Sequence, residues 1–194
     1  VVAKKPAVLT APSASVLITA VKSGYNYKIV LKDNSGNALA SQSVKVTLNG
    51  KTSTLTTNAN GEVTYKIAAK AGTYKLTVVF DSNNNYTVAK ATPTIKINKQ
   101  ATKLTAKKKT YKAKVKSKKY SVTLKDSKNK AIKKVKVTLK VKGKTYKATT
   151  NSKGKATFKI KNLKKKGTYK AKVKFAGNAL YKASSKTVKI KVKR

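Results

Sequence analysis

The sequence contains no cysteine, histidine, methionine or tryptophan. Without cysteine no disulfide can form, and without cysteine and histidine a zinc, haem or iron–sulfur site lacks its usual ligands. Acidic residues are also scarce, because the 194 residues include only Asp33, Glu62, Asp81 and Asp126. Four scattered carboxylates do not favour the oxygen cage that calcium requires. The sequence therefore predicts no metal and no cofactor.

Two further absences concern function. No run of about 18 apolar residues is present, so no transmembrane segment is predicted. Acid–base and nucleophilic catalysis usually need a histidine, a carboxylate pair or a lysine of lowered pKa in a cleft. The sequence shows no such arrangement, and we predict that the protein is not an enzyme.

Basic residues are abundant instead. The chain has 48 of them, all lysine except Arg194, and its net charge is +44. However, 39% of the residues are hydrophobic, which is too many for a simple disordered tail. The chain starts with Val1-Val2 rather than Met, and we expect it to be a monomeric, processed piece of a longer protein.

An internal repeat organises the chain. "YKIVLKDNSGNAL" matches "YSVTLKDSKNKAI", and "GTYKLTVVFDSNNNY" matches "GTYKAKVKFAGNALY" later in the chain. The segments between and after these also match in the same order, which predicts two copies of one domain, 1–99 and 100–194.

Each copy has the pattern of an all-β domain. Short segments of period two, rich in Val, Ile, Thr, Tyr and Phe, alternate with turns, and no helix is predicted. Gly61 and Gly154 are expected to adopt a positive φ in such turns, and Asp33 and Asp126 to close turns on their own backbone. About seven strands in each copy predict tandem immunoglobulin-like β-sandwiches without a disulfide. Tyr74 and Tyr169 are candidates for a tyrosine corner.

Lysine alternates with apolar residues along several predicted strands. Tyr111, Ala113 and Val115 are expected to face the core, and so are Val188, Ile190 and Val192 near the end of the chain. The lysines between such residues would form the solvent-exposed face of the sandwich. The candidate residues for binding a polyanion are Lys112, Lys114, Lys116, Lys136, Lys140, Lys142, Lys170, Lys172, Lys174, Lys189 and Lys191.

The two copies differ greatly in charge. Residues 1–99 carry a net +10 and residues 100–194 a net +34. Copy one has Thr54, Thr77, Val79 and Thr94 where copy two has Lys147, Lys172, Lys174 and Lys189. The fold is thus expected to form without these charges, whose mutual repulsion opposes compaction. This favours an anionic partner, although solubility and edge protection are simpler explanations of the lysines.

The kind of polyanion follows in part from the choice of lysine. Lysine is a flexible point charge, whereas arginine is the commonest residue in base-specific DNA contacts. No nucleic-acid-binding motif is present, so nucleic acid is expected to bind only non-specifically, through counterion release. An anionic cell-wall polymer, polysaccharide or lipid surface is the favoured partner.

The repeated motifs resemble those of a known group of proteins. Turn glycines and core aromatics in "GTYK", "VKVTL" and the segments around them are similar to bacterial and archaeal Ig-like (Big-type) repeats of surface adhesin-like proteins. The Lys-rich second copy is most similar to C-terminal repeats of adhesin-like proteins from methanogenic archaea. The resemblance implies an extracellular location at the cell surface or cell wall. Some surface Ig-like domains also form a Lys–Asn isopeptide bond beside a buried acid, but we interpret Glu62 and Asp126 as turn and surface residues.

The sequence therefore predicts a non-catalytic cell-surface adhesin or stalk fragment whose second copy binds an anionic envelope polymer electrostatically. One alternative is a non-specific nucleic-acid-binding protein. Another is adhesion to a foreign cell through the Asn-, Ser- and Gly-rich loops of copy one, since loops on a rigid sandwich often carry recognition.

Overall fold

The computed structural model describes residues 3–194. The chain divides into two compact units, one that ends at Asn98 (unit 1) and one of Lys99–Arg194 (unit 2). No helix in the described chain has the length and hydropathy needed to span a membrane.

Unit 2 is a two-sheet sandwich. Its strands are β11 (Thr102–Thr105), β12 (Lys109–Lys112), β13 (Lys118–Asp126), β14 (Lys136–Val141), β15 (Lys144–Thr149), β16 (Lys155–Ile160), β17 (Gly167–Phe175) and β18 (Ser184–Lys193). One sheet has the order β11-β13-β16 and the other the order β12-β18-β17-β14-β15. All neighbours are antiparallel except β12 and β18, which are parallel. Strands β11, β13 and β16 correspond to strands A, B and E of an immunoglobulin-like fold, and β18, β17, β14 and β15 correspond to G, F, C and C′. Strand β12 is added to the second sheet beside β18.

The core of unit 2 lies between these sheets. Tyr120, Leu124 and Phe158 from the three-stranded sheet and Leu139 and Val173 from the five-stranded sheet belong to one buried cluster. The burial pattern alternates strictly along β16 and along β18 from Val188 onward, as the period-two sequence pattern predicted. Unit 2 therefore closes around an apolar core without a disulfide.

Unit 1 repeats this plan with interruptions. Its elements are β1 (Ala7–Thr10), β2 (Ala14–Leu17), α1 (Ile18–Lys22), β3 (Asn26–Asp33), β4 (Ser43–Leu48), β5 (Lys51–Thr56), β6 (Glu62–Lys66), β7 (Gly72–Lys75), β8 (Thr77–Phe80), β9 (Ala89–Ala91) and β10 (Thr94–Asn98). Its sheets have the orders β1-β3-β6, β2-β10-β7 and β5-β4-β8-β9. The all-β, Ig-like prediction is confirmed.

The interruption in unit 1 has a clear cause. Pro93 lies between β9 and β10, and proline has no N–H to donate to a neighbouring strand. The N–H of Leu76 still donates to the carbonyl oxygen of Pro93 at 2.9 Å, so the strands remain adjacent. In unit 2 the equivalent residues, Ala171 and Val188, pair directly, and β17 and β18 are continuous.

Two sequence-based predictions are wrong in detail. Helix α1, which buries Ile18 and Val21, was not predicted, because five residues are too few to show a 3.6-residue period. The predicted strand over 110–116 ends at Lys112 in β12, and a turn starts at Ala113. Val115 is 40% exposed rather than inward-facing.

A lysine is buried just beyond that turn. Lys118 is 2% exposed, and its ammonium donates to the carbonyl oxygen of Val115 at 2.7 Å and more distantly to that of Ala113. The turn after β12 thus supplies acceptors for the buried ammonium of Lys118, which forms no salt bridge within residues 3–194.

The turn predictions are confirmed in both units. Gly61 and Gly154 have the same positive φ of 71°, and a Cβ on either would collide with a backbone carbonyl oxygen. The hydroxyl of Tyr74 donates to the Lys70 carbonyl oxygen at 3.0 Å, and that of Tyr169 to the Lys165 carbonyl oxygen at 2.8 Å. Each bond returns to the backbone four residues upstream, as in a tyrosine corner.

Candidate polyanion-binding surface

The outer side of the five-stranded sheet of unit 2 is covered with lysine. Because Val188, Ile190 and Val192 point into the core, the residues between them in β18 point to solvent, and the same alternation holds along β14 and β17. The exposed lysines of this outer side, here called the lysine face, are Lys112, Lys136, Lys140, Lys147, Lys170, Lys172, Lys174, Lys189, Lys191 and Lys193.

Eight of the eleven candidate lysines lie on this face, and three do not. Lys114 and Lys116 lie in the loop after β12, and Lys142 lies in the turn between β14 and β15 with a φ of 46°. All three are exposed. Lys147 and Lys193 lie on the face although the sequence-based list omitted them. The alternation was a readable signal for both, because Lys147 lies between Tyr146 and Ala148 and Lys193 follows the inward-facing Val192.

The strand register places lysines directly opposite one another. Lys170 of β17 pairs with Lys189 of β18, and Lys172 of β17 pairs with Lys140 of β14. Directly opposed side chains in a sheet have Cβ atoms about 5 Å apart, and like charges at such positions repel. The lysine face therefore concentrates positive charge at a cost in stability.

No carboxylate in unit 2 offsets this charge. Its single acidic residue, Asp126, is buried, and one of its oxygens accepts the N–H groups of Lys128 and Lys130 at 2.9 Å each. The salt bridges of the described chain, Lys28 with Glu62 and Lys45 with Asp81, are both in unit 1.

Asp33 in unit 1 closes the equivalent turn. Its carboxylate accepts the backbone N–H groups of Ser35 and Asn37 and the side-chain amide of Asn37. The turn-closing roles predicted for Asp33 and Asp126 are thus confirmed. Within residues 3–194 no three acidic side chains come together as a metal site would require.

The rings of three tyrosines in unit 2 lie near lysine ammonium groups. The ammonium of Lys109 lies 5.3 Å from the ring centre of Tyr111, and Lys142 and Lys144 lie near the rings of Tyr169 and Tyr146. Burial, with a smaller contribution from Tyr120, raises the pKa of Tyr111 to about 12. Its hydroxyl donates to the Lys119 carbonyl oxygen at 2.6 Å and stays neutral at physiological pH. The lysines therefore meet aromatic faces rather than anions.

Unit 1 presents a weakly charged version of the same face. Thr47 pairs with Thr77 at the positions that Lys140 and Lys172 occupy in unit 2, and it pairs with Thr52 on its other side. The Thr47 and Thr52 hydroxyls lie 2.8 Å apart. The sandwich is thus built in the same chain with threonine in place of much of the lysine.

Comparisons with known proteins bear on the fold. No protein-family model and no curated protein matches the sequence. The titin domains Z1Z2, solved in complex with telethonin, are 12% identical with a TM-score of 0.51, and the match covers 99% of this chain and 98% of titin Z1Z2. Invasin, a bacterial integrin-binding protein, is 19% identical with a TM-score of 0.45, and the match covers 96% of this chain.

A 1.5-MDa bacterial ice-binding adhesin is 16% identical with a TM-score of 0.41, and the match covers 98% of this chain. The chain spans 66% of the adhesin structure and 39% of the invasin structure. At 12% identity the likeness to titin Z1Z2 shows the fold alone.

Proposed function

We propose that the chain is a non-catalytic fragment of an extracellular adhesin or stalk, made of two Ig-like domains at 1–99 and 100–194. In this proposal the lysine face of unit 2 attaches electrostatically to an anionic polymer or surface of the cell envelope. The main support is the lysine face itself, a set of exposed lysines in a unit whose one carboxylate is occupied within its own turn.

The physical argument depends on many weak contacts. A lysine near an anionic membrane surface contributes about 1 kcal/mol, and the attraction decays within a Debye length. Several lysines acting together give firm attachment that weakens as salt is added. No single lysine is essential in this scheme, because a flexible ammonium needs no fixed partner geometry.

The cell-surface part of the proposal is supported by sequence. The motifs around the turn glycines and core tyrosines resemble Ig-like repeats of surface proteins, and the Lys-rich copy is similar to repeats of adhesin-like proteins from methanogenic archaea. A cell-wall location and an archaeal origin remain parts of the proposal.

A matched pair of variants of the full chain tests the role of the lysine face. The first carries Lys147→Thr, Lys172→Thr, Lys174→Val and Lys189→Thr, which copies residues of unit 1. The control carries threonine at four exposed lysines of the three-stranded sheet, Lys103, Lys119, Lys155 and Lys159. Both variants lose four charges, so only their position differs.

We expect the first variant to lose roughly tenfold or more in affinity for purified envelopes of the producing cell, and the control clearly less. Equal losses would show diffuse attraction without a binding face. A preference for one nucleic-acid sequence would instead support the nucleic-acid-binding alternative. Unfolding of the first variant would contradict the inference that unit 1 shows the fold without these charges.

A second candidate function is adhesion through a loop of unit 1. Lys5, Asn84, Asn85 and Tyr86 line a cavity of about 270 Å³. Unit 2 keeps the same turn, because Asn178 accepts the N–H groups of its second and third successors just as Asn83 does.

The side chains of this loop differ between the units. Unit 2 has Ala179 and Leu180 where unit 1 has the two asparagines, so the turn does not require their amides. Binding of residues 1–99 to foreign cells, abolished by Asn84→Ala with Asn85→Leu, would support this function. Unchanged binding of that variant would exclude the loop.

A further inference from the structure

A cavity lies at one edge of the lysine face, where β12 runs beside β18. It has a volume of about 370 Å³ and is lined by Lys108, Lys109, Thr110, Thr168, Lys189 and Lys191. Lys191 is flanked by hydroxyls, because its register partners are Thr110 in β12 and Thr168 in β17. Because neighbouring strands lie about 4.8 Å apart, the Thr110 hydroxyl, the Lys191 ammonium and the Thr168 hydroxyl form one row across the cavity floor.

Three ammonium groups of this cavity are available to a ligand. Lys109 lies near the Lys119 carbonyl oxygen, at 3.3 Å, and over the Tyr111 ring. Within the described chain the ammonium groups of Lys108, Lys189 and Lys191 make no hydrogen bond or salt bridge.

A second cavity adjoins the first. It has a volume of about 380 Å³, shares Lys108 and Lys189, and adds Lys170, Lys186 and Thr187 over a floor of Ala106 and Val188. Lys108 and Lys189 therefore stand between two cavities, each with further ammonium groups on its far side.

Unit 1 shows that the fold does not require these lysines. Ile95 pairs with Ala14 and Tyr74 as Ile190 pairs with Lys109 and Tyr169, which fixes the equivalence of the strands. By this equivalence Ser13 replaces Lys108 and Thr94 replaces Lys189. The Ser13 hydroxyl accepts the Thr94 N–H at 2.9 Å, so unit 1 fills this place with an internal hydrogen bond.

We propose that the two cavities bind consecutive tetrahedral oxyanions, phosphate or sulfate, along one linear polymer, with Lys108 and Lys189 shared between them. This deepens the proposed function and rests on it. A tetrahedral oxyanion presents oxygens in several directions, which suits donors converging from three strands and a loop. A planar carboxylate presents two oxygens in one plane and uses fewer of these donors, and the wider lysine face would serve it as well as the cavities do.

The test compares two full-chain variants of equal charge. Lys108→Ser with Lys189→Thr gives the cavities the residues of unit 1. Lys147→Thr with Lys172→Thr removes two lysines from the same face outside the cavities. Affinity is measured by calorimetry for poly(glycerol phosphate), for polyglucuronate of equal length, for inorganic phosphate and for phosphatidylglycerol vesicles.

We expect poly(glycerol phosphate) to bind roughly tenfold more tightly than polyglucuronate at about 0.15 M salt, and inorganic phosphate to bind far more weakly than either. The cavity variant should lose roughly tenfold in affinity for the phosphate polymer, and the control less than about threefold.

Equal losses in the two variants, or equal affinity for the two polymers, would overturn the paired oxyanion sites while leaving electrostatic attachment intact. Tight vesicle binding that only the cavity variant loses would overturn the polymer in favour of a lipid headgroup. Failure of the unaltered chain to bind any polymer or vesicle at low salt would overturn the proposed function as well.

Discussion

Gly154 is held in a left-handed conformation where a side chain has no room. Its φ is 71°, and a Cβ would meet the carbonyl oxygen of Leu124. Gly143 has a similar φ of 74° but open space around it. The two glycines therefore separate the cost of backbone conformation from the cost of a collision.

We predict that Gly154→Ala lowers the free energy of unfolding by about 3 kcal/mol or more, and Gly143→Ala by about 1–2 kcal/mol. Urea unfolding of the two variants would measure the difference. Equal costs would mean that the Gly154 turn can shift to admit a methyl group.

The buried Lys118 should react differently from its exposed neighbour Lys119. Because the Lys118 ammonium is enclosed and bonded to the Val115 carbonyl oxygen, a reagent must wait for local opening. We predict that reductive methylation modifies Lys118 at least about tenfold more slowly than Lys119, as followed by peptide mass spectrometry. Similar rates would contradict the burial of Lys118.

Asp33 makes the stability of unit 1 depend on acid pH. The side-chain amide and then the backbone N–H of Asn37, with a smaller effect of the Ser35 N–H, lower the pKa of this carboxyl below its usual 3.8. The folded chain therefore holds the ionised form to lower pH than the unfolded chain does. The contribution of Asp33 to the free energy of unfolding is therefore fully present above pH 3.8, and it is lost as the pH falls through the lowered pKa.

We predict that acidification through this range destabilises the unaltered chain, and that Asp33→Asn removes part of the effect. Asp81→Asn is the control, because Asp81 is exposed and its carboxylate forms a surface salt bridge with Lys45. Urea unfolding at neutral and acid pH measures both. An identical acid loss in Asp33→Asn and the unaltered chain would contradict the prediction.

At the scale of elements, opposed lysines destabilise the five-stranded sheet. Lys172→Thr removes the like charge opposite Lys140, and Lys189→Thr removes the like charge opposite Lys170. We predict that each change raises the free energy of unfolding by about 0.2–1 kcal/mol at low salt, and that the gain vanishes at about 1 M salt.

Lys147→Thr is the matched control, because Lys147 faces Thr138 rather than another lysine. Chemical unfolding at low and high salt provides the measurement. Destabilisation by Lys172→Thr or Lys189→Thr at low salt would mean that the lysine stems contribute more by packing than their charges cost.

The strands show how far the sequence predicts this structure. Alternation identified β12, β14, β17 and β18 and hence eight lysines of the lysine face, because burial of one side of a strand fixes the other. The same alternation failed over 113–116, where the period continues into a turn and the buried residue is Lys118. The two cavities could not be predicted from the sequence. Lys108 lies beside Lys189 only because β12 pairs in parallel with β18, which joins segments that are far apart in the chain.

At the scale of the whole molecule, charge is divided unequally between two copies of one fold. Residues 1–99 carry +10 and residues 100–194 carry +34, although unit 1 and unit 2 are both Ig-like sandwiches. Crowding like charges in a compact domain opposes folding. An anionic partner that neutralises unit 2 would both bind it and relieve this repulsion.

The most direct test of electrostatic attachment is binding of residues 1–99 and residues 100–194, separately, to purified envelopes of the producing cell. Salt is raised from about 0.1 M to about 1 M, over which the Debye length falls from ~10 Å to ~3 Å. We predict that only residues 100–194 bind, and that this binding falls steeply with salt. Absence of binding by residues 100–194 at low salt, or binding that salt leaves unchanged, would contradict the account.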